Sequence, residues 1–142
     1  MSAYADTSFL VSLYVMDGNS ARAAGRIKSA PLPLSLTLFN EVEIINAFYL
    51  RLYRKEIDPS QIRAAQGLFQ EDIENGIFEV MPLSSAVFDR AKRLAEKHTV
   101  RLGTRTLDVL HVASALVLKA DTFYTFDVNQ GKLAKAEGLA VP

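Results

Sequence analysis

Short apolar runs of strand length alternate with helix-length segments along the whole chain, and this alternation restricts the fold more than any single residue does. A strand that returns by way of a helix lies parallel to its predecessor, so the pattern predicts an α/β domain with a central, mostly parallel sheet. Strands are expected at Ser2–Ala5, Leu32–Leu36, Ile77–Met81 and Thr122–Phe126, with a fifth at Leu139–Val141. Helices are expected over Ser8–Val15 and Ser20–Ser29, broken at Asp17-Gly18-Asn19, and over Thr37–Lys55, whose end carries Arg51, Arg54 and Lys55. A further helix opens at Asp58-Pro59-Ser60 and stops near Asn75-Gly76. The last three run from Ser84 or Ser85 to about His98, from a Thr106 cap to Lys119, and from an Asp127 cap to Ala136.

At 142 residues the chain fits a single domain, 1–142, with room for a full hydrophobic core. No apolar run approaches the roughly 18 residues of a membrane span. Met1-Ser-Ala-Tyr-Ala-Asp has neither the basic nor the apolar region of a signal peptide, and a cytoplasmic location is expected. The absence of cysteine excludes disulfides and thiolate metal sites. Sixteen basic residues balance sixteen acidic ones, which argues against strong nonspecific binding to long duplexes.

Against this background four acids stand at the ends or turns of apolar segments: Asp6, Glu43, Asp108 and Asp127. Asp6 and Asp127 share one arrangement, an apolar strand, then Asp, then a helix. Each can cap its helix, and each also sits at the carboxyl end of a strand, where α/β sheets bind ligands. One carboxylate can do both. Asp108 lies in the first turn of a segment so apolar that it must be buried nearly all round, with Arg105 as the available ion-pair partner. On the Thr37–Lys55 helix, Glu43 shares a stripe with Phe39, Ala47 and Leu50, whereas Glu41 is flanked by Leu38, Ile44 and Phe48; periodicity does not choose between the two.

Carboxylates gathered in one pocket repel. Two charges about 4 Å apart cost roughly 4 kcal/mol at an effective dielectric near 20. Without a cation, at least one is expected to take up a proton. Mg²⁺, or Mn²⁺ in its place, removes the penalty and suits an all-oxygen ligand set. His111, one turn after Asp108, and His98, near a helix end, read as structural residues. Lys92, Arg93, Lys97, Arg101 and Arg105 form a basic succession that is either a solvated helix face or a phosphate contact, with Arg105 the preferred substrate contact.

Taken in order, Tyr4-Ala-Asp6-Thr-Ser-Phe, Thr37…Glu43-Ile-Ile-Asn46-Ala47, Arg105-Thr-Leu-Asp108-Val-Leu-His-Val-Ala and Phe123-Tyr-Thr125-Phe-Asp127 carry a resemblance over nearly the whole chain. The sequence resembles the PIN-domain ribonucleases, most closely the VapC-type toxins of prokaryotic toxin–antitoxin pairs. The resemblance selects Glu43 over Glu41, because the family places its second acid three residues before an Asn-Ala pair. It implies a three-layer α/β/α sandwich. It further implies that Asp6 and Asp108 hold Mg²⁺ most directly, that Glu43 and Asp127 complete the pocket, and that Thr7, Ser8 and Thr125 match hydroxyl positions beside it. Asn129 stands where some relatives carry another polar ligand. The activity implied is endoribonuclease cleavage of RNA. The implied partners are a second copy of the chain, forming a homodimer, and a cognate antitoxin protein.

Two other readings compete. An aspartyl-phosphate phosphohydrolase would use Asp6 as nucleophile, but Thr7 and Ser8 follow Asp6 where an Asp-x-Asp pair is wanted. A noncatalytic RNA- or protein-binding module on the same fold does not need four acids.

Overall fold

The computed structural model describes residues Met1–Pro142 and contains a four-stranded parallel sheet in the order β3-β2-β1-β4, with seven helices. The elements are β1 (Ala3–Ala5), α1 (Thr7–Tyr14), α2 (Ser20–Ser29), β2 (Leu34–Thr37), α3 (Leu38–Tyr53), α4 (Pro59–Glu74), β3 (Phe78–Met81), α5 (Ser85–Leu102), α6 (Thr106–Val117), β4 (Thr122–Tyr124) and α7 (Val128–Ala136).

The central strand β1 has apolar side chains for both faces, as a sheet covered on both sides requires, whereas β2 gives Leu34 and Leu36 to one face and Ser35 and Thr37 to the other. From β1, Ala3 and Ala5 join a core with Leu34 and Leu36 of β2 and with Phe9, Ile44, Phe48, Ile62 and Phe69 of α1, α3 and α4. Between them Tyr4 points the other way, into a core with Val112 of α6, Leu94 of α5, Leu133 of α7 and Phe123 of β4. The Tyr4 and Phe123 rings stack at 5.5 Å, a pairing worth about 1 kcal/mol beyond area burial. The result is an α/β/α sandwich, as expected.

Several boundaries differ from those expected, each for a local reason. The second strand begins at Leu34, after Pro33, which has no N–H for a ladder. The fourth ends at Tyr124 because the Phe126 amide turns to donate to Ser8 Oγ at 3.0 Å. The fifth strand is a single bridge, Thr122 to Ala140. Helix α5 continues four residues past His98 to Leu102, where Gly103 takes a left-handed φ of 64° and closes it. Arg105, not Thr106, is the N-cap position of α6; its backbone amide donates to Asp108 Oδ2 at 2.9 Å. No helix is long and apolar enough to cross a membrane.

Candidate active site

The chain reverses from strand to helix at Asp6 and at Asp127. In both places the acid caps the new helix: Asp6 Oδ1 accepts from the Phe9 amide and Asp127 Oδ1 from the Gln130 amide, each at 3.0 Å. Since β1 and β4 are adjacent and parallel, the two caps emerge at the same edge of the sheet. Thr125 joins them. Its hydroxyl donates to Asp6 Oδ2 and accepts from the Asp127 amide at 2.8 Å. Ser8 adds a second donor to Asp6 Oδ1, at 2.7 Å.

Glu43 reaches the same edge from α3, held by the Thr7 hydroxyl at 2.7 Å and by His111 Nε2 at 2.5 Å, both on Oε1. Asp108 enters from the first turn of α6 and is almost wholly buried. A groove of about 490 Å³ is lined by Glu43, Asp108 and Asp127 together with Thr7, Ser8 and Arg105. Asp6 lies beneath its floor, fully buried. All four predicted acids and all four predicted substrate contacts therefore belong to one neighbourhood. The hydroxyls of Thr7, Ser8 and Thr125 each spend their proton on an acid, so in this structure they aim the carboxylates.

The electrostatics are unequal. Burial pushes the Asp6 carboxyl up from its ordinary range, against the opposing influence of His111 and of three hydrogen-bond donors. Burial also acts to raise Glu43, but the hydrogen bond and charge of His111, helped by Thr7, hold it below the usual carboxylate range. Of the two, only Asp6 has burial as the influence that prevails. The Arg105 guanidinium stands over the mouth, 3.7 Å from Asp108 and 3.9 Å from Asp127. Three-quarters exposed, it contributes little to stability there.

Two residues of the site were given no role there by the sequence. His111 read as a structural residue; its ring joins Glu43 on one side and the Tyr4 hydroxyl, 2.8 Å from Nδ1, on the other. Tyr4 in turn donates to Asn40 Oδ1 at 2.9 Å. Gln130 lines the groove with its Oε1 buried and unpartnered. Of the basic succession only Arg105 faces the groove. Lys92 pairs with Asp89, Lys97 with Glu137, and Arg101 donates to His98.

The donor set suits a hard divalent cation: oxygen only, with Glu43 Oε2 and Asp108 Oδ1 free of protein hydrogen bonds. No three of these side chains close into a ready-made metal cage. Mg²⁺ tolerates such an open arrangement, because it retains water and takes ligands from substrate phosphate.

The PIN-domain family model matches residues 3–136. The chain belongs to the PIN-domain family. Among solved structures, Mycobacterium tuberculosis VapC20, a toxin that cleaves the sarcin–ricin loop, superposes with a TM-score of 0.71 at 18% identity, covering 98% of this chain and 97% of its own. FitAcB from Neisseria gonorrhoeae gives 0.68 at 17% identity, with 98% and 95% covered. VapBC-1 of nontypeable Haemophilus influenzae gives 0.66 at 17%, with 100% and 97% covered. These structures share the fold over essentially its full length. No match is found among curated protein sequences.

Proposed function

We propose that this PIN domain is a metal-dependent endoribonuclease, the toxin of a toxin–antitoxin pair. The observation that carries the reading is the convergence of Glu43, Asp108 and Asp127 on one groove, with Asp6 buried beneath its floor, from four separate elements. Four acids gathered against one exposed arginine and one histidine repel one another, and a fold retains such a cluster where a cation is to be held.

Asp6, Glu43, Asp108 and Asp127 hold Mg²⁺, with Mn²⁺ able to replace it. The ion supplies electrophilic activation of water and of the scissile phosphate. Thr125 and Ser8 fix both oxygens of Asp6. Thr7 and His111 fix Oε1 of Glu43 and leave Oε2 to the groove. Glu43, kept ionised, orients the attacking water and accepts its proton. Arg105 at the mouth draws a phosphate oxygen into place. Solvent-exposed Val42, Tyr49 and Tyr53 on α3 and Leu68 on α4 suit a homodimer contact and an antitoxin segment. The toxin relatives with the same fold favour this reading over a noncatalytic module.

The test is incubation of total RNA with purified protein, in Mg²⁺ or in EDTA, beside Asp6→Asn. Discrete metal-dependent fragments, absent with the variant, are expected. Intact RNA after exposure to folded, Mg²⁺-supplied protein free of bound inhibitor would turn the reading toward a binding module.

A further inference from the structure

Beside the acid groove, and sharing Asp127 with it, lies a second groove of about 460 Å³ between α2 and α7. Its cations are Arg22 and Arg26 from α2 and Lys132 and Lys135 from α7. Neither helix contains an acid anywhere along its length. None of the four is in an ion pair, and they are gathered in one groove. In a chain of zero net charge, four uncompensated cations in one groove are a local concentration that folding does not require. Both guanidiniums lie over the Phe126 ring, with centroid distances of 5.0 and 5.1 Å. Stacking restrains them; Arg22 donates one N–H to Asn19 Oδ1 and Arg26 donates to no side chain, which leaves N–H donors for phosphate oxygens. Arg22 and Arg26 are one turn apart, a rise of about 6 Å.

We infer that this cationic cradle binds backbone phosphates of a single-stranded RNA segment flanking the cleaved bond. The inference rests on the ribonuclease reading for the identity of the ligand. The groove offers few apolar side chains to anchor a protein segment, while phosphates need only the cations. Asp127 is the hinge between the two grooves, so a strand passing from the cradle meets the acids directly.

The test is binding of a fluorescein-labelled single-stranded RNA oligonucleotide by anisotropy, in EDTA, from 0.05 to 0.3 M salt. Wild type is compared with Arg22→Ala/Arg26→Ala, with Lys132→Ala/Lys135→Ala and with Lys28→Ala, an exposed cation of α2 outside the groove. Thermal melts confirm equal folding. Each double variant is expected to lower the slope of log K against log salt by about 1.4, and to weaken binding roughly 25-fold at 0.1 M salt, since each single-strand phosphate contact contributes about 0.7 to the slope. Lys28→Ala should change neither. Where RNA is cleaved, the double variants raise KM and leave kcat in place. Unchanged slopes in both double variants would overturn the cradle even if wild type cleaves RNA. Salt-dependent binding lost in the variants, without any cleavage by wild type, would keep the cradle and reject the nuclease. Equal capture of a polyglutamate peptide and of RNA by wild type, both lost in the variants, would overturn the assignment to RNA.

Discussion

Two buried histidines in this protein each grip a glutamate, and they do opposite things. His98 Nε2 lies 2.6 Å from Glu137 Oε2, and His111 Nε2 lies 2.5 Å from Glu43 Oε1. Around Glu137 the charge is closed: Arg90 and Lys97 approach to 3.6 and 3.1 Å. Arg101 donates to His98 Nδ1, which assigns the ring proton to Nε2. The cluster ties α5 to the end of α7 and asks for nothing more. Around Glu43 the charge is open, with three further acids and a single exposed cation, Arg105, at the rim. The partner of His111 Nδ1 is the Tyr4 hydroxyl, whose own proton goes to Asn40 Oδ1, so the hydroxyl accepts from the ring and ties it to α3. The same pair is a clasp where its surroundings neutralise it and a site where they do not.

The contrast breaks most sharply at the acids. Asp108→Asn, nearly isosteric, is expected to lower kcat for RNA cleavage by about 10²–10⁴-fold with the fold retained, measured by gel assay beside circular dichroism. Next are the histidines themselves. His111→Gln should cut cleavage by roughly 10–100-fold, the size of effect seen when a partner that orients a metal ligand is lost. His98→Gln should leave the rate per folded molecule unchanged and lower stability by about 1–3 kcal/mol. Equal rate losses in the two variants would erase the distinction drawn here.

Saturating Mg²⁺ should raise the melting temperature of the wild type, by an amount equivalent to about 2.7 kcal/mol at 100 times Kd, and raise that of Asp108→Asn less. The smallest effect concerns acid stability. Burial works to raise Glu137, but His98 and Lys97 hold its carboxyl below the ordinary value. Its stabilising contribution is therefore complete above the unfolded value of about 4.3 and is lost as pH falls through the lower folded value. Urea midpoints of wild type and Glu137→Gln should converge in that window and differ at neutral pH.

Much of the molecule was legible in its sequence because the signals were local. Asp6 and Asp127 end strands and cap helices, and neighbouring residues alone dictate that. Asp58 capping α4, with Gln61 completing the box, follows the same grammar. The boundaries that shifted did so where a distant partner intervened, as Ser8 does for Phe126. Glu43 against Glu41 was beyond periodicity. Two residues apart on a helix, they point about 200° apart, and only packing decides which face meets α6.

The sequence by itself determined the alternating strands and helices, the caps and the apolar burial of β1, since these depend on propensities and spacing within a few residues. The tertiary structure alone decided that His111 meets Glu43 across 68 positions. It also decided that the free cations beside the site come from α2 and α7 rather than from the basic succession on α5. Long-range encounters depend on how whole layers stack, and no local pattern encodes which charged side chain will find itself without a partner.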